Sequence, residues 1–181
     1  MYGMVNRAVE EMVCGTYGDA TWEAIKRCAG VEVDAFISNE AYPDETTYRL
    51  VDATAKVLNL PADQVLESFG AHWVLHTAKD GYGSLMKAGG ASMGEFLRNL
   101  PTFHARVVLI YPNLKPPRFQ LSHIEENSLR LHYFSHRQGL QPFVRGLLNG
   151  LVAMFNLDGH VTTLQSREMG GDHDEFLVEW S

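Results

Sequence analysis

The sequence predicts an α+β fold, with a helical N-terminal part followed by a part in which helices accompany a four-stranded antiparallel sheet. Apolar residues recur at helical spacing through the first two-thirds of the 181 residues. In the last third they alternate in four short segments, which flank one strongly periodic helix. No internal repeat, low-complexity tract or linker interrupts the chain, so we predict one domain over residues 1–181.

The helical segments have recognisable boundaries. Residues 3–14 are predicted to form an amphipathic helix. Asp19 is placed to cap a second helix that ends at Gly30, and Asp44 to cap a third. Pro61 is typical of the first turn of a helix and is expected to open the fourth.

A proline divides the next helical segment. Ser92 and Glu95 have the spacing of a capping box and predict a helix start. Pro101 argues against one unbroken helix, because a proline inside a helix removes a hydrogen bond and clashes with the preceding turn. We therefore predict that a new helix begins near Pro101, runs to Tyr111 and is ended by Pro112 and the prolines that follow it.

The last third predicts the sheet. Residues 118–124 and 129–135 alternate around a polar turn and predict a β-hairpin. Apolar residues from 140 to 155 keep a 3.6-residue rhythm, which predicts the strongest helix of the chain. Residues 160–168 and 174–181 predict two further strands.

Composition excludes several classes of protein. The formal net charge is −7, and the lack of a Lys/Arg-rich run argues against nucleic-acid binding. No apolar run approaches the roughly 20 residues that span a bilayer. Cys14 and Cys28 form no CxxC or CxxCH motif, which argues against a disulfide framework, a cysteine zinc site and a covalently attached c-type haem. We expect a cytoplasmic location and, since the common hydrolase and nucleotide-binding motifs are missing, no enzymatic activity.

One of the eight histidines has unusual surroundings. His104 lies on a largely apolar helix with Phe103 and Val107 nearby. A neutral imidazole on such a helix suits an axial ligand of haem iron, which needs a dry, flat slot and one nitrogen donor. The alternative is an ordinary packed histidine.

A second group of residues suits carboxylates. On a strand, Tyr133, Ser135 and Arg137 would point to one face. The arginine fork binds carboxylates with two parallel hydrogen bonds, and the two hydroxyls add donors. A ligand with paired carboxylates, such as the two propionates of haem, would fit there. The alternative is the polar outer face of an edge strand.

Together these residues resemble the H-NOX family, the haem nitric oxide/oxygen-binding domains that include the haem domain of the soluble guanylate cyclase β subunit. The similarity rests on His104 with Y-x-S-x-R about thirty residues later, and it extends over the whole chain through MYGMVN, TWEAIK, PPRF, LHYFSHR and GDHDEFL. The resemblance implies one haem b between a distal helical subdomain over about 1–60 and a proximal subdomain over about 61–181. It indicates the stand-alone form found in bacteria.

The resemblance also implies roles for individual residues. His104 would be the proximal ligand of the iron. Tyr133, Ser135 and Arg137 would hold the haem propionates, and Pro117 would pack on the haem and help to bend it.

The resemblance further predicts which gas is bound. Oxygen-binding members donate a hydrogen bond to the gas from a distal tyrosine, and that position falls on Phe143 here. We therefore predict a sensor of nitric oxide, also binding carbon monoxide, that excludes oxygen. The indole N–H of Trp73 is the one distal donor that would weaken this expectation. The distal wall is expected to comprise Val5, Trp73, Phe143 and Leu147.

The expected signal is release of His104 from the iron when nitric oxide binds. Because the sequence ends at Ser181, the effector is expected to be a separate protein, either a histidine kinase or a cyclic-di-GMP enzyme. Three alternatives remain: an oxygen sensor or carrier on the same fold, a haem enzyme such as a peroxidase, and a haem-free binding module. The cysteine-rich zinc site of some relatives is not expected.

Overall fold

The computed structural model describes residues 1–111 and 114–181, and the side chains of these except 80–82. Pro112, the predicted helix end, lies outside the described residues. The chain divides into two compact units, Met1–Phe69 and Gly70–Ser181. The described helices are α1 Gly3–Tyr17, α2 Asp19–Ala29, α3 Asp44–Leu58, α4 Ala62–His72, α5 Lys79–Lys87, α6 Met93–Ile110 and α7 Gln141–Met154. The strands are β1 Arg118–Ser122, β2 Ser128–Phe134, β3 Gly159–Gln165 and β4 Asp174–Trp180.

The first unit contains α1, α2 and α3. Its core is formed by fully buried side chains from each of these helices, among them Val9, Ile25 and Leu50. The predicted caps are wrong in detail: Gly18 and Pro43 occupy the cap positions, so Asp19 and Asp44 are the first residues of their helices. Both carboxylates still lie in a first turn, where the helix dipole favours negative charge.

The second unit contains the four-stranded sheet, and the predicted α+β class is confirmed. All neighbouring strands are antiparallel, in the order β1-β2-β4-β3. The inner face of the sheet carries buried residues of β2 and β4, including Leu131 and Phe176, which belong to one hydrophobic core with Leu148 of α7. The predicted hairpin corresponds to β1 and β2.

Pro101 does not start a new helix, contrary to the sequence prediction. It lies inside α6, the longest of the described helices at 18 residues. Proline leaves the carbonyl of Leu97 without its helical donor, at a cost of about 3 kcal/mol. Leu97 and Leu100 before the proline are nonetheless buried in one core, and Phe103 after it packs against that same core. Burial of each such side chain contributes about 1.5–3 kcal/mol, which outweighs the loss.

The fourth helix changes its geometry where regular spacing was expected. After α4 the backbone forms a π-helical segment, Trp73–Ala78, before α5 begins. Trp73 and Val74 therefore do not continue the regular α-helical spacing of Val65 and Phe69. Within the described part of the chain, no helix is both long and apolar enough to cross a membrane.

Candidate functional site

His104 lies on α6, one turn after Leu100, and its ring orientation is fixed by the backbone. The Nδ1 nitrogen is 3.0 Å from the carbonyl oxygen of Leu100. A carbonyl only accepts hydrogen bonds, so Nδ1 carries the proton and donates it. The neutral ring therefore has its lone pair on Nε2. Burial lowers the pKa of His104, while the bond to Leu100 partly opposes this shift.

A row of aromatic rings connects His104 to the sheet. The imidazole stacks on Phe119 of β1, with ring centroids 5.3 Å apart and planes at 23°. Phe119 in turn lies 5.5 Å from the ring of Tyr133, its partner in the register between β1 and β2. The structure therefore brings both His104 and Tyr133 into contact with the ring of Phe119.

Only the first residue of Y-x-S-x-R lies in a strand, which corrects the prediction of a shared strand face. β2 ends at Phe134, and Ser135 and Arg137 follow in a bend. The Ser135 hydroxyl accepts the backbone N–H of Arg137 at 3.1 Å, a local bond that competes with continued strand pairing. The three residues remain close, because the side chains of Tyr133 and Ser135 are hydrogen bonded. Burial raises the pKa of Tyr133, and the hydrogen bond to Ser135 and the charge of Arg137 oppose the shift.

Arg137 connects this bend to the segment before β1. Its Nη1 donates to the backbone carbonyl of Lys115 at 3.2 Å. Pro117 lies two residues later, half-buried and directly before the first residue of β1. The PPRF stretch and the Y-x-S-x-R motif are thus neighbours in space.

Arg167 is a site residue that the sequence analysis missed. Its Nη1 donates to the carbonyl oxygen of Ser135 at 2.8 Å, and its Nη2 donates to that of Arg137. Its backbone N–H donates to Oδ1 of the buried Asp174 at 2.8 Å, and its Nε is 3.9 Å from the other carboxylate oxygen. One guanidinium therefore holds the bend that carries Ser135 and Arg137. The signal in the sequence was an Arg and an Asp seven residues apart across a predicted turn.

Three of the four predicted distal residues lie in the second unit. Trp73 and Leu147 pack against its hydrophobic core. Phe143 and Leu147 are on α7, and their backbone atoms approach α4 so closely that a Cβ at Gly70 would lie 2.6 Å from the Leu147 nitrogen. Val5 is half-buried on α1 of the first unit. The role of all four in a distal wall stays a prediction.

Comparison with known proteins agrees with this architecture. A family model described as haem-NO-binding matches residues 2–163. Two soluble guanylate cyclases of Caenorhabditis elegans, gcy-37 and gcy-32, are 32% and 31% identical over 99% and 87% of this chain, and the matches cover 27% and 24% of those proteins. The chain thus spans about a quarter of the length of the curated relatives it matches.

Solved structures show the same fold. An H-NOX protein from S. oneidensis in the Fe(II)NO ligation state has a TM-score of 0.90 at 20% identity, covering 100% of this chain and 99% of that chain. An unliganded Fe(II) H-NOX protein from K. algicida has a TM-score of 0.86 at 22% identity, covering 100% and 97%. With the family match extending over most of its length, the chain belongs to the haem-NO-binding family as an H-NOX haem-binding sensor domain related to those of soluble guanylate cyclases.

Proposed function

We propose that this chain senses nitric oxide through one haem b whose iron is bound by His104. The observation that carries the proposal is the bond from Nδ1 of His104 to the Leu100 carbonyl. This bond fixes the tautomer and leaves the lone pair of Nε2 to bind the iron. Histidines that ligate metals are commonly held by a hydrogen bond of this kind. The lowered pKa of His104 supports it, because only the neutral ring binds a metal.

The propionates of the haem would be held by Arg137, Ser135 and Tyr133. The Arg137 guanidinium provides charge and a planar fork, and the hydroxyls of Tyr133 in β2 and Ser135 just after it provide further donors. Pro117 would pack beside the ring, on the segment to which Arg137 is hydrogen bonded. The haem supplies a ferrous centre that binds diatomic gases, nitric oxide and carbon monoxide among them.

We propose that the distal side excludes oxygen because it lacks a side-chain donor. Bound oxygen carries partial negative charge and is stabilised by a donor, whereas nitric oxide gains much less. The expected donor position is Phe143, and its neighbours Pro142 and Val144 have no side-chain donor either. The distal wall would then comprise Val5, Trp73, Phe143 and Leu147, and the indole of Trp73 would serve in packing.

The signal would leave through α6. His104 would tether this helix to the haem iron. Release of His104 from the iron when nitric oxide binds would free the segment around Leu100 from that tether. The two states of the tether make a ligand-biased switch. The receiver would be a separate histidine kinase or cyclic-di-GMP enzyme.

A cytoplasmic location is supported by Cys14 and Cys28, which are both free thiols.

The test is His104→Gly with His160→Gly as a matched control, since His160 is an exposed histidine of β3. Haem content and absorption spectra of the ferrous protein are recorded under nitrogen, in air and with nitric oxide. We expect His104→Gly to lose its pigment unless imidazole is added, and the control to keep it. Unchanged pigment and gas spectra in His104→Gly without imidazole would end the proposal.

The same spectra show which gas the protein binds. We expect the spectrum in air to match that under nitrogen, and nitric oxide to remove the signature of the histidine ligand. A distinct, persistent spectrum in air would favour the oxygen sensor or carrier. Peroxide turnover well above that of free haem would favour the haem enzyme.

A further inference from the structure

A second cluster of histidines lies on the outer face of the sheet. His132 of β2 and Glu175 of β4 are register partners on this face, and His173, in the bend before β4, contacts His132 there. One ligand atom from each of the three lies within 4.8 Å of the others. Tyr133, the next residue after His132, is buried on the inner face. We propose that His132, His173 and Glu175 bind a divalent transition-metal ion of the zinc class, at a site separate from His104.

The outward-facing nitrogens of both histidines already have the partners that metal-bound histidines use. Nδ1 of His173 is 2.6 Å from a carboxylate oxygen of Asp172, which only accepts, so Nδ1 donates and Nε2 keeps the lone pair. Nε2 of His132 is 2.7 Å from the Ser122 hydroxyl. The Asp172 carboxylate fixes the tautomer of His173, whereas the Ser122 hydroxyl can either donate to His132 or accept from it.

The two inner nitrogens face each other across the proposed site. Nδ1 of His132 is 2.8 Å from Nε2 of His173. Without metal, His132 donates from Nδ1 to His173 and accepts from the Ser122 hydroxyl at Nε2. With metal, His132 carries its proton on Nε2 and donates to Ser122, whose hydroxyl turns to Nδ1 of His123, 3.0 Å away. Both hydrogen-bond chains are complete, so metal binding moves one proton within His132 and releases none.

The third ligand is a carboxylate with one oxygen available. Arg130 donates to Oε1 of Glu175 at 3.2 Å, leaving Oε2 for the metal and balancing part of the negative charge. The His173 ring is held in place by stacking on Phe134, with centroids 4.5 Å apart. Two imidazole nitrogens and one carboxylate oxygen form a known ligand set for zinc, which keeps a fourth position open.

The experiment uses the tag-free, haem-loaded full chain, so that His104 is occupied. The protein is dialysed against micromolar zinc, and bound zinc is measured by mass spectrometry. We expect one zinc per chain in the wild type and in His160→Gln. His132→Gln and His173→Gln should each lower zinc affinity at least 100-fold. Asp172→Asn, which alters the carboxylate behind His173 but removes no metal ligand, should lower zinc affinity by about 10–100-fold.

A zinc K-edge X-ray absorption spectrum of the wild-type protein gives an independent answer if a variant unfolds. We expect two imidazole nitrogens at about 2.0–2.1 Å and no sulfur. Fewer than one zinc per chain, equal affinity in His132→Gln and wild type, or a spectrum without two imidazoles would each overturn the proposal. Unchanged nitric oxide spectra in these variants would keep this result distinct from the test of His104.

Discussion

Replacing Arg167 by Met should loosen the bend that carries Ser135 and Arg137. The substitution keeps much of the side-chain volume but removes both guanidinium bonds to the carbonyl oxygens of that bend. It also removes the positive charge beside Asp174, whose carboxylate is buried. The backbone N–H of residue 167 still donates to Asp174, so that carboxylate keeps one partner.

The size of the effect follows from those contacts. A hydrogen bond from a charged donor contributes about 1.5–3 kcal/mol, so loss of two predicts about 3–6 kcal/mol less free energy of unfolding. With a denaturant slope of roughly 2–3 kcal/mol/M, the urea midpoint should fall by about 1–3 M. Arg167→Lys should fall in between, because a lysine ammonium keeps the charge but not the planar fork.

The assay is urea unfolding of the haem-loaded protein by far-UV circular dichroism, with haem loss to an excess of an acceptor protein as a second readout. Arg98→Met is the control, because Arg98 is exposed on α6 and a surface change of this kind stays within about 0.5 kcal/mol. Haem loss should be faster in Arg167→Met only. Equal midpoints for Arg167→Met and Arg98→Met would refute the claim that Arg167 holds the bend.

Three further predictions concern the distal side, the helix contact and pH. Phe143→Tyr supplies a donor and should produce a spectrum in air that differs from that under nitrogen; an unchanged spectrum would argue against Phe143 as the distal position. Gly70→Ala places a Cβ against the backbone of α7 and should lower the melting temperature, whereas Gly15→Ala, with open space around it, should raise stability by up to about 1 kcal/mol. Folding lowers the pKa of His104, so the unfolded chain binds this proton more readily than the folded chain does. The free energy of unfolding of the haem-free protein therefore keeps its full value above the ordinary pKa of 6.5 and falls as the pH drops below it. Urea midpoints between pH 5 and 8 should show this loss in the wild type and a flatter profile in His104→Gln.

The helices and strands of this chain were largely predictable, because each is determined by a periodic pattern within one segment. The hairpin of β1 and β2 and the helix α7 follow directly from alternation and from 3.6-residue spacing. Pro101 was misjudged for a physical reason: its local cost is visible in the sequence, whereas the burial that offsets it depends on other elements. The π-helical segment Trp73–Ala78 gives no periodic signal of its own.

In the candidate site too, the sequence predicts the features that depend on one segment and not those that depend on the surrounding structure. His104 was recognisable because its apolar helix is a local pattern, and the structure adds the bond to Leu100 that fixes its tautomer. The Y-x-S-x-R motif was recognisable as a set of donors, but its strand geometry was wrong, since the Ser135 hydroxyl captures the N–H of Arg137 and turns the chain. Short-range competition between a side chain and the strand ladder decides that geometry.

The roles of Arg167 and of the histidine cluster could not be predicted from the sequence for the same reason, which is that their contacts join residues far apart in the chain. The bonds of Arg167 to the bend join residues about thirty apart, and His132 meets His173 across 41 positions. These contacts exist because β4 lies beside β2, and the strand order β1-β2-β4-β3 inserts the last strand between two earlier ones. A shift of one residue in the β2–β4 register would turn Glu175 away from His132 and move Asp174 out of the core, so one pairing determines both the cluster and the bend. Variants that weaken the β2–β4 pairing should therefore reduce zinc binding and haem retention together, whereas Arg167→Met should reduce haem retention alone.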